Sequence, residues 1–118
     1  MITNDQALGL HLQVLFAKAH ALNAEWGDSL ECITNAMNRM PHVRRRADDR
    51  GLPSAGDVDR LARLLETARE QVKVQQFSDE LELARCYTAD LLEQVEDVRR
   101  QADVQENVDP DPDRANRG

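Results

Sequence analysis

The fold is decided by two consecutive stretches, VDRLARLLETAREQV at residues 58–72 and FSDELELARCYTADLLEQVEDVRRQA at residues 77–102. Within each stretch, apolar residues recur at steps of three and four, which is the spacing of one face of an amphipathic helix. On a single continuous helix the two faces would lie about 140° apart. The chain must therefore turn or kink within residues 73–78, or contact different partners on opposite sides.

Two geometries satisfy this change of face. Ser78 can cap a new helix whose first turn is acidic, which suits the positive end of a helix. A tight hairpin is only weakly indicated, because no Gly, Pro or Asn lies between Val72 and Leu81. A kinked or locally unwound long helix is the alternative.

The first helix is predicted to begin at a capping box formed by Thr3 and Gln6. It carries two apolar strips on roughly opposite sides, and one neighbour cannot cover both. We call the first the leucine strip and expect it to be the main packing face; it comprises Leu8, Leu12, Leu15, Ala19 and Leu22, and continues to Trp26. The second, the small-residue strip, would let a partner helix approach closely; it comprises Leu10, Val14, Ala17 and Ala21.

Residues that typically end or cap helices divide the rest of the chain. Gly27 and Asp28 either break the first helix or are absorbed by it as a stutter. Pro41 predicts a helix end near Met40, and Asp57 is expected to cap the third helix. The long connector at 41–56 has room for a short helix. We thus predict one domain at residues 1–106 and a flexible acidic tail at 107–118, with helices at about 4–26, 28–40, 57–76 and 78–106.

Composition favours an all-α fold. The chain has 118 residues and a net charge of −7, and only 3% of its residues are aromatic, so Leu, Val and Ala must fill the core. No apolar run is long enough to cross a membrane, and two cysteines do not make a disulfide framework. We expect a cytoplasmic antiparallel bundle of three or four coiled-coil-like helices. An excess of arginine over lysine is typical of a GC-rich bacterial or phage genome.

No residue set specifies a reaction. The three histidines lack metal-ligand spacing, and neither cysteine has a neighbouring base, so we expect no enzyme activity, metal or cofactor. The only basic cluster comprises Arg44, Arg45 and Arg46, with Arg50 nearby. These four arginines are candidates for contact with an anion or a partner. An acidic chain without aromatic residues near that cluster makes nucleic acid an improbable ligand.

These features favour a non-enzymatic interaction module that docks a helical face on a target protein as a small regulator, inhibitor or adaptor. Apolar residues occupy too many faces for a lone copy to bury, so a homodimer or an obligate partner is expected. The predicted interface comprises the small-residue strip Leu10, Val14, Ala17 and Ala21, and a short strip on the fourth helix formed by Leu83, Cys86 and Tyr87. A nucleic-acid-binding regulator that uses the arginine cluster is the alternative.

Overall fold

Four helices and no strand make up the part of the chain that the structure describes. The structure is a computed structural model that describes residues 2–46 and 54–107, with side chains up to residue 102. The helices are α1 (Asn4–Leu22), α2 (Trp26–Arg45), α3 (Ala55–Lys73) and α4 (Asp79–Asn107). The all-α prediction and the number of helices are therefore confirmed.

The helices form a ring in chain order. Helix α1 packs on α2 and α4, and α3 packs on the same two helices from the other side. Each helix contributes a buried strip with the alternating three-and-four spacing of coiled-coil cores. These strips are residues 7, 10, 14, 17 and 21 of α1; 29, 33, 36, 40 and 43 of α2; 58, 61, 65, 68 and 72 of α3; and 81, 84, 88, 91 and 95 of α4.

The junction at residues 73–78 is a hairpin turn, and not a kink. Helix α3 ends at Lys73, and Gln75 takes a left-handed conformation with φ of 59°. Its amide donates to the Val72 carbonyl while the Gln76 amide donates to that of Gln71, which is the Schellman hydrogen-bond pattern. This pattern usually has glycine at the left-handed position. Gln75 occupies that position here, which explains why a hairpin was only weakly indicated by the sequence.

The α1–α2 turn has the same Schellman hydrogen-bond pattern. Ala24 has φ of 58°, its amide donates to the Ala21 carbonyl, and the Glu25 amide donates to that of His20. The first helix therefore ends at Leu22, before the Gly27–Asp28 pair that we expected to mark any break. Trp26 becomes the first residue of α2 and packs against the core from there.

One of the three predicted caps is confirmed by its hydrogen bonds. Thr3 and Gln6 form the predicted capping box; Ser78 directly precedes α4, but its hydroxyl donates to the Glu80 carboxylate at 3.1 Å. Asp57 is not the cap of α3: the helix begins at Ala55, and the Ser54 hydroxyl accepts a hydrogen bond from the Asp57 amide at 3.2 Å. Ser54 followed three residues later by Asp57 is the Ser-x-x-acid pattern of a helix start, and this pattern identifies the true cap.

Pro41 does not end α2, which continues to Arg45. The proline ring lies on the exposed side of the helix, so the Met37 carbonyl that loses its intrahelical donor can be satisfied by water. Met40 and Val43, on either side of the proline in the chain, are both buried. The burial of these two side chains holds the last turn in helical conformation.

The two strips of α1 face the opposite way from our prediction. Leu10, Val14, Ala17 and Ala21 are fully buried inside the single chain, where their small volumes let α2 and α4 approach closely. The prediction that this strip is left for a partner is corrected accordingly, because its side chains are inaccessible in this fold. The leucine strip faces outward instead.

Some predictions fall outside the described residues. Arg50, residues 47–53 of the connector and the tail beyond Asn107 belong to this group, so the flexible acidic tail stays a prediction. Within the described ranges, no helix combines the length and the apolar character needed to cross a bilayer.

We expect Ala24→Gly to raise the free energy of unfolding by up to about 1 kcal/mol, because glycine adopts the left-handed conformation without a Cβ clash. Urea denaturation measures the change. Ala19→Gly is the matched control inside α1 and should lower the same quantity by about 1 kcal/mol. Equal destabilisation by both substitutions would contradict a left-handed residue at position 24.

Candidate functional site

Half of the large apolar side chains that are exposed among the described residues lie on the outward face of α1. Four large side chains of this helix are more than a third exposed: Leu8 at 38%, Leu15 at 36%, Phe16 at 46% and Leu22 at 64%. The first two and the last belong to the leucine strip, and Phe16 lies beside it. The strip from Leu8 to Leu22 extends for about 21 Å along the helix. A contiguous apolar surface of this kind marks an interaction site more often than scattered surface leucines do.

Charge is nearly absent from this face. Within α1 only Asp5 and Lys18 are formally charged, in a chain of which 31% is charged. The Lys18 ammonium is directed to the neighbouring helix, where it pairs with the Glu82 carboxylate at 2.5 Å. The apolar face is therefore not interrupted by a free cation.

Polar contacts fix α1 against α4. The Thr88 hydroxyl donates to the Arg85 carbonyl at 3.0 Å, so its oxygen accepts from the ring Nδ1–H of His11, also at 3.0 Å. The Lys18–Glu82 ion pair lies about two turns further along. Together they set the antiparallel register of the two helices and place the Glu82 side of α4 next to the leucine strip.

The protonation states of Glu82 and His11 follow from their contacts between α1 and α4. Hydrogen bonds from Arg85 and Lys18 lower the pKa of Glu82 to about 2, so this carboxylate is charged at any physiological pH. Burial and, secondarily, the Arg85 charge lower the pKa of His11. His11 is therefore a neutral hydrogen-bond donor near pH 7.

The predicted short strip on α4 is only partly accessible. Leu83 is 56% exposed and Cys86 is also exposed, whereas Tyr87 is half-buried against the core. Burial and the nearby Asp57 carboxylate raise the pKa of Tyr87 to about 12, so it stays a neutral phenol. Leu83 is separated from the Glu82 side by about 100° of helix rotation, so it does not extend the α1 surface.

The cysteines lack the surroundings of a reactive thiol. Burial raises the pKa of Cys32, and the Glu31 and Asp28 carboxylates add to this shift. Cys86 Sγ lies 3.4 Å from Arg85 Nη2 and 3.6 Å from Glu82 Oε1, and Arg85 is already engaged by Glu82 in two hydrogen bonds. Glu82 is a weak base for the Cys86 thiol, because Arg85 and Lys18 lower the pKa of this carboxylate to about 2.

The arginine cluster is not a continuous basic surface. Arg44 forms an ion pair with Asp59 of α3 at 3.1 Å, beside a shallow groove of about 250 Å³ between α2 and α3. Arg45 and Arg46 are exposed at the end of α2, and Arg50 lies outside the described residues. Pairing of Arg44 within the chain weakens the case for a phosphate-binding patch.

The α1–α2 turn brings together three potential metal ligands that sequence spacing did not indicate. One ligand atom each of His20, Glu25 and Asp28 lies within 4.8 Å of the others. His20 Nδ1 and Glu25 Oε1 are 3.2 Å apart, so these two groups already pair with each other. All three lie at the surface, where such ion pairs form without a metal.

No family model, curated protein or solved structure matches this chain. Its function is therefore inferred from the geometry of the bundle and of its exposed face.

We expect the free energy of unfolding to fall as the pH drops from about 7 towards 5, with His11 contributing to the loss. The folded-state pKa of His11 lies below the unfolded value of 6.5, so the unfolded chain binds more protons between the two values. Stability from the neutral ring is complete above pH 6.5 and declines through that window. Urea denaturation of His11→Gln at several pH values should show a shallower slope than the unmodified chain.

The exposed His42 supplies the control. His42→Gln should retain the pH slope of the unmodified chain, since its ring is outside the α1–α4 contact. If His11→Gln and His42→Gln gave the same slope as each other, the His11–Thr88 contact would not be the origin of the effect.

Proposed function

We propose that this chain is a non-enzymatic protein–protein interaction module that binds a partner through the outward face of α1. The observation that carries the proposal is the leucine strip, an uncharged apolar surface with helical spacing on an otherwise charged bundle. Burying it would release water from several large side chains at once, which is the main driving force of association.

The architecture supports this reading. The four core strips supply a complete interior without using the leucine strip. The leucines at 8, 15 and 22 are therefore not needed to close the bundle. Exposed leucine lowers solubility and raises aggregation risk, so a surface of this size is most simply explained by a partner that covers it.

The partner class is a target protein, as expected for a small regulator, inhibitor or adaptor. A rigid helical face gives affinity through apolar burial, and the surrounding charges select among partners. The three-residue cluster at the α1–α2 turn and the two cysteines add no reaction chemistry to this proposal.

A homodimer is the second arrangement that the leucine strip favours. Two copies could pack their α1 helices side by side along about 20 Å. Such a contact lies near the lower limit of about 1,000 Å² for specific interfaces, so self-association would be weak and concentration-dependent.

We expect Leu15→Glu combined with Phe16→Glu to abolish partner binding, because two carboxylates would have to be buried at the centre of the contact. The measurement is affinity capture from cells of the source organism followed by quantitative mass spectrometry. Both side chains are more than half buried, so the free energy of unfolding should also fall, by about 1–3 kcal/mol.

Leu83→Glu is the matched control for this experiment. It introduces one carboxylate at an exposed leucine on α4, outside the α1 face. A protein captured by the unmodified chain and by Leu83→Glu, but lost from the double variant, supports the proposal. Loss of the captured protein with Leu83→Glu alone would show that the partner binds the short strip on α4.

Sedimentation measures the homodimer directly. We expect a dimer that dissociates in the micromolar range if two α1 faces pack together, and a monomer for the double variant at every concentration. A dimer that persists in the double variant would show that self-association uses another surface.

A further inference from the structure

We infer that the leucine strip binds an amphipathic helix of a second protein whose apolar seam is flanked by lysine or arginine on the side that lies over α4. This inference depends on the proposed function and specifies the chemistry of the partner. It follows from the spacing of the strip and from the different charges on its two edges.

The spacing of the strip selects a helix as the partner. Residues 8, 12, 15, 19 and 22 alternate steps of four and three, as do the buried strips that pack the four helices of the bundle. Side chains with this repeat receive the knobs of a second helix in the holes between them. An extended strand has a period of two residues and would meet this row at only a few points.

The α4 edge of the strip carries Glu82, Arg85 and Glu93. Residues 79–97 hold seven acids and one base, but at 100° per residue these acids are spread around α4, and only some of them face α1. Glu93 lies eleven residues after Glu82 and so points in nearly the same direction. Since α1 and α4 are antiparallel, Glu93 lies beside the first turns of α1, near Leu8.

Part of this negative charge is left uncompensated. Lys18 and Arg85 both pair with Glu82, but Glu93 is exposed and forms no ion pair with the described residues. A partner helix seated on the leucine strip would bring one of its flanks close to Glu93. Lysine or arginine on that flank would be attracted, and glutamate would be repelled.

The α2 edge has a different character. The Arg39 guanidinium of α2 lies directly over Gly9: a Cβ atom at that position would be 2.7 Å from Arg39 Nη1. At the Leu8 end of the strip a cation therefore lies on the α2 edge and the unpaired Glu93 on the α4 edge. Towards the other end of α1, the α2 edge carries Glu25 and Asp28 beside His20. The difference at the Leu8 end would orient the bound helix, with its basic flank over α4.

A second copy of this chain fits the surface less well than a basic helix does. Each copy has a net charge of −7, so association is opposed at long range. The α1 helix of a second copy offers only Lys18 as a full cation, and Lys18 is already held by Glu82. It therefore lacks the free basic flank that the α4 edge favours.

The test uses two synthetic helices of about 21 residues with leucine at every seam position. One carries lysine along a single flank and the other carries glutamate at the same positions. At about 50 mM salt we expect the lysine helix to bind with a Kd at least about tenfold lower, and the difference to shrink at about 0.5 M salt. Fluorescence anisotropy of the labelled helices measures both constants.

Variants of this chain locate the effect. Leu15→Glu with Phe16→Glu should remove binding of the lysine helix, whereas Leu83→Glu should leave its Kd unchanged. Glu93→Gln combined with Glu96→Gln should raise the Kd of the lysine helix severalfold and lower that of the glutamate helix. Both acids are exposed, so thermal unfolding should report an intact fold.

Each other outcome is decisive. Equal binding of the two helices, dependent on Leu15 and Phe16, overturns the charge inference and leaves the proposed docking surface standing. Failure of both helices to bind overturns the inference, and strip-dependent capture of a cellular protein would show that the proposed function survives it. A tight dimer that Leu15→Glu and Phe16→Glu dissolve assigns the surface to a second copy.

Discussion

A ring of four helices can bury one face of each helix, whereas α1 has apolar residues on two faces. Its small-residue strip enters the core, where Ala17 and Ala21 allow the close approach of α2 and α4. Leu8, Leu15 and Leu22 then remain outside, because a helix in such a ring has no further neighbour to cover them. The candidate docking surface, its lack of charge and the absence of a competing core role all follow from this limit on what one ring can enclose.

The register between α1 and α4 gives that surface its electrostatic character. The His11–Thr88 hydrogen bond and the Lys18–Glu82 ion pair align the two helices, and this alignment places the exposed Glu93 beside the Leu8 end of the apolar strip. On the other edge, Arg39 of α2 covers Gly9. The same polar contacts that hold the bundle together therefore also determine which charges a bound partner would meet.

Local patterns predicted most of the secondary structure and placed a turn or kink within residues 73–78, but they did not show how the two turns are built. The three-and-four spacing identified the buried faces of α3 and α4 correctly, from Leu61 to Val95. Both turns at one end of the bundle use left-handed Ala24 and Gln75, whose side chains carry no turn signal. Pro41 was overrated as a helix breaker, since burial of Met40 and Val43 around it outweighs one lost hydrogen bond.

The sequence by itself determined that the chain is helical, where its apolar strips run, and that most of its net negative charge lies on α4. It could not determine which strip of α1 faces inward, because the leucine strip and the small-residue strip have the same helical repeat and similar hydrophobicity. Only the tertiary structure decided this. Two neighbours must approach α1 within packing distance at once, and alanine permits that approach where a second row of leucines would hold the helices apart.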